Sequence, residues 1–189
     1  MAADRRLVAT LAAVCLTAFA FGLRPDITSG EPDPVFLLSS GLLLLLACAA
    51  TFAVVQMSRP RVGNHQTGWI WALAMAALLP ASGLLTWLAA MLGGGHAVVD
   101  AAGWECLAVG VVLGLGVAVI LTLQLRRGAP TSPERAGLLS GIAAGAAGAF
   151  ALSMHCPNDA IVHIGLWHAS AVAVSALAGR WLVPALIRW

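Results

Sequence analysis

Six stretches of this chain, 7–23, 35–57, 69–92, 106–125, 136–154 and 161–182, are almost free of charge, and each is close to the length of a bilayer-crossing helix. Such a helix needs about 20 apolar residues. Short polar breaks rich in Gly and Pro separate the runs, and nothing alternates as a membrane β-strand would. Where no water can satisfy backbone N–H and C=O groups, an apolar run must satisfy them internally, so each run is predicted to be a helix. Composition excludes the alternatives. The chain is 60% hydrophobic and 10% charged, too little charge to coat a soluble globule. Ordinary domains are about 45–50% apolar and about 25% charged. Disorder is excluded because the chain is apolar rather than highly charged. The expected fold is one all-α integral membrane domain of six transmembrane helices in a single bundle, with no separate soluble domain. The first run follows Asp4-Arg5-Arg6 as a signal peptide would. It is long for a signal sequence and lacks a small-x-small cleavage site, so it is expected to be a retained first helix.

The basic residues orient the bundle. All ten are Arg; Arg5, Arg6, Arg59, Arg61, Arg126, Arg127, Arg135, Arg180 and Arg188 fall on one side of a six-helix layout, and only Arg24 on the other. Asp26, Glu31, Asp33, Asp100, Glu105 and Asp159 collect with Arg24. The positive-inside rule then predicts both termini in the cytoplasm, and a five- or seven-helix layout would destroy the asymmetry. Trp69, Trp71, Trp104, Trp181 and Trp189 lie near run ends, where an interfacial belt would place them. Arginines beside apolar runs read as membrane orientation rather than nucleic-acid binding. In the fifth run, Gly137, Gly141, Gly145 and Gly148 form a small-residue stripe that fits either packing within the chain or a homodimer face. Pro80 predicts a kink in the third run.

Topology sorts the cysteines. Cys15 and Cys48 lie inside runs as small apolar filler. Cys106 opens the fourth helix and Cys156 follows the fifth, so both are expected at the outer face. The two helices are joined by a short loop and expected to be antiparallel neighbours. A disulfide would need Cα atoms about 4.4–6.8 Å apart. Metal ligands crowd the same place: Met154, His155 and Cys156 are consecutive, Glu105 precedes Cys106, and Asp159, His163 and His96 are on that side. Thiolate, thioether and imidazole favour copper(I), zinc or similar soft ions, although the spacing matches no standard zinc signature. A structural disulfide, reversible thiol or metal sensing, and inert packing stay open. His163 and His168 are five apart on the sixth helix, about 140° around an α-helix, with His168 about 10 Å inside its outer end. A neutral His bonded to a neighbouring helix is the plainer reading of His168; an ionisable group at depth is a functional candidate.

Phosphate loops, nucleophile elbows, Cys-x-x-Cys and zinc-protease motifs are absent from the sequence, and no charge sits centrally in a run as a proton pump would need. Two other classes stay in view. One is a membrane thiol oxidoreductase passing electrons from outer cysteines to a quinone. The other is a metal-handling transporter, against which the scarcity of midplane ligands counts.

Arg126-Arg127-Gly128-Ala129-Pro130-Thr131, then Pro133, then a Gly/Ala-rich helix ending in His155-Cys156-Pro157, closely resemble the NrsF family. Leu166-Trp167, and Leu23-Arg24-Pro25-Asp26 after the first run, extend the resemblance over nearly the whole chain. It implies a six-helix, multi-pass anti-sigma factor of the bacterial inner membrane that restrains an extracytoplasmic-function sigma factor, with no enzymatic activity and no direct contact with nucleic acid. It implies functional roles for two cysteines, which map onto Cys106 and Cys156, in a stress response to oxidants or heavy metals. No cofactor is implied; a soft metal ion such as copper, zinc or cadmium would be the signal. His155 is the expected further ligand, with Met154, His163, Asp159 and Glu105 behind it. Arg59, Arg61, Arg126, Arg127 and Arg135 are the expected partner contacts; their other reading is topology and lipid headgroup binding. The family usually has a longer cytoplasmic segment before the first helix than Met1 to Arg6 supplies, and an aromatic residue is expected where His168 follows Trp167.

Overall fold

The computed structural model describes residues 23–58, 68–93, 100–101, 103–128 and 130–187. The expectations for the first run, Arg5, Arg6, Cys15, Arg59, Arg61, His96, Arg188 and Trp189 lie outside those residues, as does the side chain of Trp69. Among the described residues there is no strand. A short helix α1 (Pro25–Ser29) is followed by α2 (Pro34–Met57), α3 (Gly68–Leu92), α4 (Gly103–Arg126), α5 (Pro133–Ser153) and α6 (Ile161–Ile187). The five from α2 to α6 are long and apolar enough to cross a membrane.

Local chemistry starts and stops these helices. Pro sits in the first turn of α1, α2 and α5, where its missing N–H costs nothing. Asp33 caps α2 by accepting from the Val35 N–H at 2.7 Å. Gly30 ends α1 at φ 81°, a left-handed conformation that glycine adopts without strain. α4 begins at Gly103, earlier than the apolar run suggests. Trp104 and Glu105 therefore belong to its first turn, and Cys106 closes that turn. α3 continues through Pro80, and α6 through Pro184.

α5 is the axis of the bundle, buried along nearly all its length against α2, α4 and α6. Its glycines are the reason. A Cβ on Gly141 would meet the backbone of Ser175 and Ala176, and one on Gly145 the Cα of Val172, all on α6. A Cβ on Gly148 would overlap the Gly110 carbonyl of α4. Backbones approach this closely only where side chains are missing. Of the two readings of the glycine stripe, packing within the chain is the one seen here: α4 and α6 of the same chain cover it. The outward faces are apolar too, with Leu38, Phe52, Leu85, Val112, Leu177 and Leu182 all exposed, which is compatible with a bundle surrounded by lipid.

The bundle has two chemically distinct ends. Arg126, Arg127 and Arg135 flank the α4–α5 loop and are exposed, and Arg180 pairs with Glu134 at 2.9 Å. That loop packs on the end of α2: a Cβ on Gly128 would overlap the Ser58 carbonyl, and Gln124 reaches Ser58 Oγ at 3.5 Å. Arg24, Asp26, Cys106, Cys156 and Asp159 gather at the opposite end.

Candidate functional site

The site lies where α4, the α5–α6 link and α6 meet. α5 ends at Ser153, and the His155 and Cys156 N–H groups both turn back to the Leu152 carbonyl, at 2.9 and 3.0 Å. Pro157 cannot continue the helix, so the chain leaves with Cys156 facing inward. The Cys156 side is buried at 7% exposure, while Cys106 is half-buried. Their sulfurs lie 3.9 Å apart, both unbonded. The disulfide reading expected these two residues to meet, and they do meet, though at nearly twice the bond length of about 2.05 Å.

Two imidazoles complete the cluster. His163 Nε2 is 3.6 Å from Cys156 Sγ, and its Nδ1 faces Asp100 Oδ2 at 3.9 Å. His168 is 2% exposed, and neither of its ring nitrogens has a hydrogen-bond partner. Ligand atoms of Cys106, Cys156, His163 and His168 all fall within 4.8 Å of one another. The sequence placed His163 and His168 on different sides of α6. The structure differs because Ile164–His168 form one π-helical turn. Such a turn closes on i→i+5 bonds, so residues five apart come nearly into line. The two rings meet edge to face with centroids 5.6 Å apart.

The same turn is held from outside. Gly165 lies against Gly83 of α3, backbone to backbone, and a Cβ on Gly103 would overlap the Trp167 indole. Ala171 of α6 and Leu152 of α5 both lie against Gly110 of α4, so apolar groups of three helices meet there.

Arg24 anchors the link that carries Cys156. Its N–H donates to the Met154 carbonyl at 3.0 Å and its guanidinium to the Cys156 carbonyl at 3.0 Å. The guanidinium also pairs with Asp159 at 2.5 Å and Asp26 at 2.8 Å and lies over the Phe36 ring. The hydrogen bonds that Arg24 donates to Asp159 are the main reason its pKa is raised, and Arg24 in turn holds the Asp26 carboxyl below its usual range. Asp159 is thus a partner of Arg24, outside the thiol cluster. His155 and the exposed Glu105 are not among the four residues whose donor atoms gather here, which are Cys106, Cys156, His163 and His168. Cys48 is exposed on α2, away from the cluster.

The family model described as "Negative regulator of sigma F", NrsF, matches residues 2–189. The chain is 28% identical over 188 residues to the "Anti-sigma-F factor NrsF" of Caulobacter vibrioides (strain NA1000 / CB15N), covering 97% of this chain and 87% of that protein. It is also 28% identical over 168 residues to the "Probable anti-sigma-F factor NrsF" of Azospira oryzae (strain ATCC BAA-33 / DSM 13638 / PS), covering 82% and 73%. No solved structure matches.

Proposed function

The chain belongs to the NrsF family of negative regulators of sigma F, and on that premise we propose that it holds an extracytoplasmic-function sigma factor at the bacterial inner membrane and releases it on an outer signal. The family is one of regulators rather than enzymes, which removes the quinone-linked oxidoreductase. The signal is oxidation of Cys106 and Cys156, or their capture of a heavy-metal ion. The observation that carries this reading is the juxtaposition of two thiols fifty positions apart, 3.9 Å from one another, at the end of the bundle opposite Arg126, Arg127 and Arg135.

α4 and α5 connect those ends. Each carries or adjoins one cysteine, and the arginine-bearing loop joins them at the far side. A change in how their cysteine ends approach therefore alters the loop, provided the bundle has two arrangements that both ends bias. Moving occupancy from 1:99 to 99:1 takes about 5.5 kcal/mol. A disulfide or a thiolate–metal site is of that order. A single exposed charge contact, worth about 0–1 kcal/mol, is not. Disulfide formation removes two electrons and two protons from the pair, so it requires a two-electron oxidant such as a peroxide, reduced to water as the bond forms.

Membranes carrying the tagged protein should co-purify a sigma factor, and treatment with cadmium or peroxide should release it. Cys106→Ser and Cys156→Ser should abolish release, while Cys48→Ser should behave as the parent. Recovery of no sigma factor from untreated membranes overturns the anti-sigma reading. Equal behaviour of all three variants displaces the sensing site.

A further inference from the structure

We infer that Cys106, Cys156, His163 and His168 form one closed four-ligand site for a soft or borderline dication of the zinc and cadmium class, with the π-helical turn of α6 as the element that builds it. The inference deepens the sensing reading above and rests on it for its biological role.

Spacing is the first support. An ion bound tetrahedrally at about 2.3 Å from sulfur and about 2.05 Å from nitrogen separates two sulfurs by about 3.8 Å and a sulfur from a nitrogen by about 3.6 Å. The structure has Sγ···Sγ 3.9 Å and Cys156 Sγ···His163 Nε2 3.6 Å. The widest ligand separation is 4.8 Å. That exceeds the edge of such a tetrahedron by about 1 Å, a contraction that side-chain rotation can supply. Two sulfurs on their way to a disulfide have no need of a nitrogen at this distance.

Unused bonding capacity is the second. His168 is 2% exposed and both its nitrogens lack partners. A buried imidazole without a partner is the exception in folded proteins and calls for an unseen ligand. Asp100 lies behind His163, 3.9 Å from Nδ1, where a carboxylate orients a metal-bound imidazole whose Nε2 faces the ion.

The third is backbone geometry. In a regular α-helix one of the two histidines would turn away from the thiols. The wide turn brings both to one side, and such turns concentrate at functional sites. Gly83 against Gly165, and Trp167 over Gly103, hold it in place.

Charge then balances. The dication binds as two thiols lose their protons, forming two metal–sulfur bonds and releasing two protons to the outer water, with no electron transferred. Two thiolates cancel the ion's charge and both imidazoles stay neutral, so an apolar bundle can hold the product.

The test uses the full chain, purified in reduced form in lipid nanodiscs and loaded with zinc or cadmium. X-ray absorption at the zinc edge of the parent protein should count two sulfur and two nitrogen ligands, with two protons released per ion. His163→Ala and His168→Ala should each weaken cadmium binding by more than about tenfold, and Cys48→Ser should leave it unchanged. A parent site of two sulfurs with oxygen ligands only overturns the inference. So does failure of the reduced parent to retain an ion, or His168→Ala binding as tightly as the parent. The parent's ligand count does not depend on any variant folding. Sigma-factor co-purification is scored on the same membranes. A bound ion without a sigma factor removes the regulatory reading and keeps the site, and a sigma factor without a bound ion does the reverse.

Discussion

Arg24 fixes the turn that presents Cys156, and it does so from the far end of the sequence. Its guanidinium is buried between Asp26, Asp159 and the Cys156 carbonyl. Removing a buried charge while leaving its partners costs about 3–5 kcal/mol. Both carboxylates here keep some exposure, 25% and 22%, so Arg24→Ala should cost less, about 2 kcal/mol, read as a lowered melting temperature in detergent. Acid should act at the same place. The Asp26 carboxyl is held below its ordinary value by Arg24. Its contribution is fully present above the unfolded value of about 3.9 and is lost as pH falls through the lower folded value. Thermal melts taken from pH 6 down to pH 3 should therefore show the parent losing more stability than Asp26→Asn. In the sequence Arg24 was legible only as the lone basic residue among carboxylates, an exception to the charge bias. That setting was the signal of an ion pair, but the long-range partner, Asp159, could not be chosen from five other acids on the same side. Cys106 and Cys156 were legible because charge asymmetry alone put them at one end. His168 was not ranked with them because an α-helical step of about 100° per residue turns it away from His163.

At the scale of helices, the glycines divide into those that something touches and those that nothing touches. Gly141 lies on the α6 backbone, whereas a Cβ on Gly116 would meet nothing within 4 Å. Gly141→Val should therefore cost more than about 3 kcal/mol, because backbone cannot yield as a side chain can. Gly116→Ala should gain about 0.5–1 kcal/mol through a stiffer helix. Thermal unfolding of the two variants in one detergent compares them. The stripe on α5 was visible from spacing alone, but spacing is the same for a partner helix inside the chain and for one in a second copy. What decided between them is where α6 and α4 lie, which depends on the whole bundle. The π-helical turn was invisible for a related reason. It is one residue's worth of extra chain in an otherwise regular helix, and the run 161–182 remains apolar whichever hydrogen-bonding pattern it adopts.

For the molecule as a whole, the apolar runs made the helical architecture readable, since lipid leaves the backbone little choice. The positions of the helix ends were less readable: α4 starts in polar residues ahead of its run, and α6 continues past Leu182 to Ile187. Arginine asymmetry predicts both termini on the cytoplasmic side. A fluorescent protein that folds only in the cytoplasm should light up when fused after Trp189, and alkaline phosphatase fused there should stay inactive; the reverse pattern would invert the bundle. The cluster itself has a consequence for what the cell can measure. It holds as many thiols as the ion has charges, so an entering dication exchanges for two departing protons and no net charge crosses the transmembrane electric field. An uncompensated charge there would feel about 2.3 kcal/mol per 100 mV. With the outer pH held constant, the affinity of the proposed site should accordingly be unchanged by the membrane potential, while it should rise with outer pH because two protons leave as the ion enters.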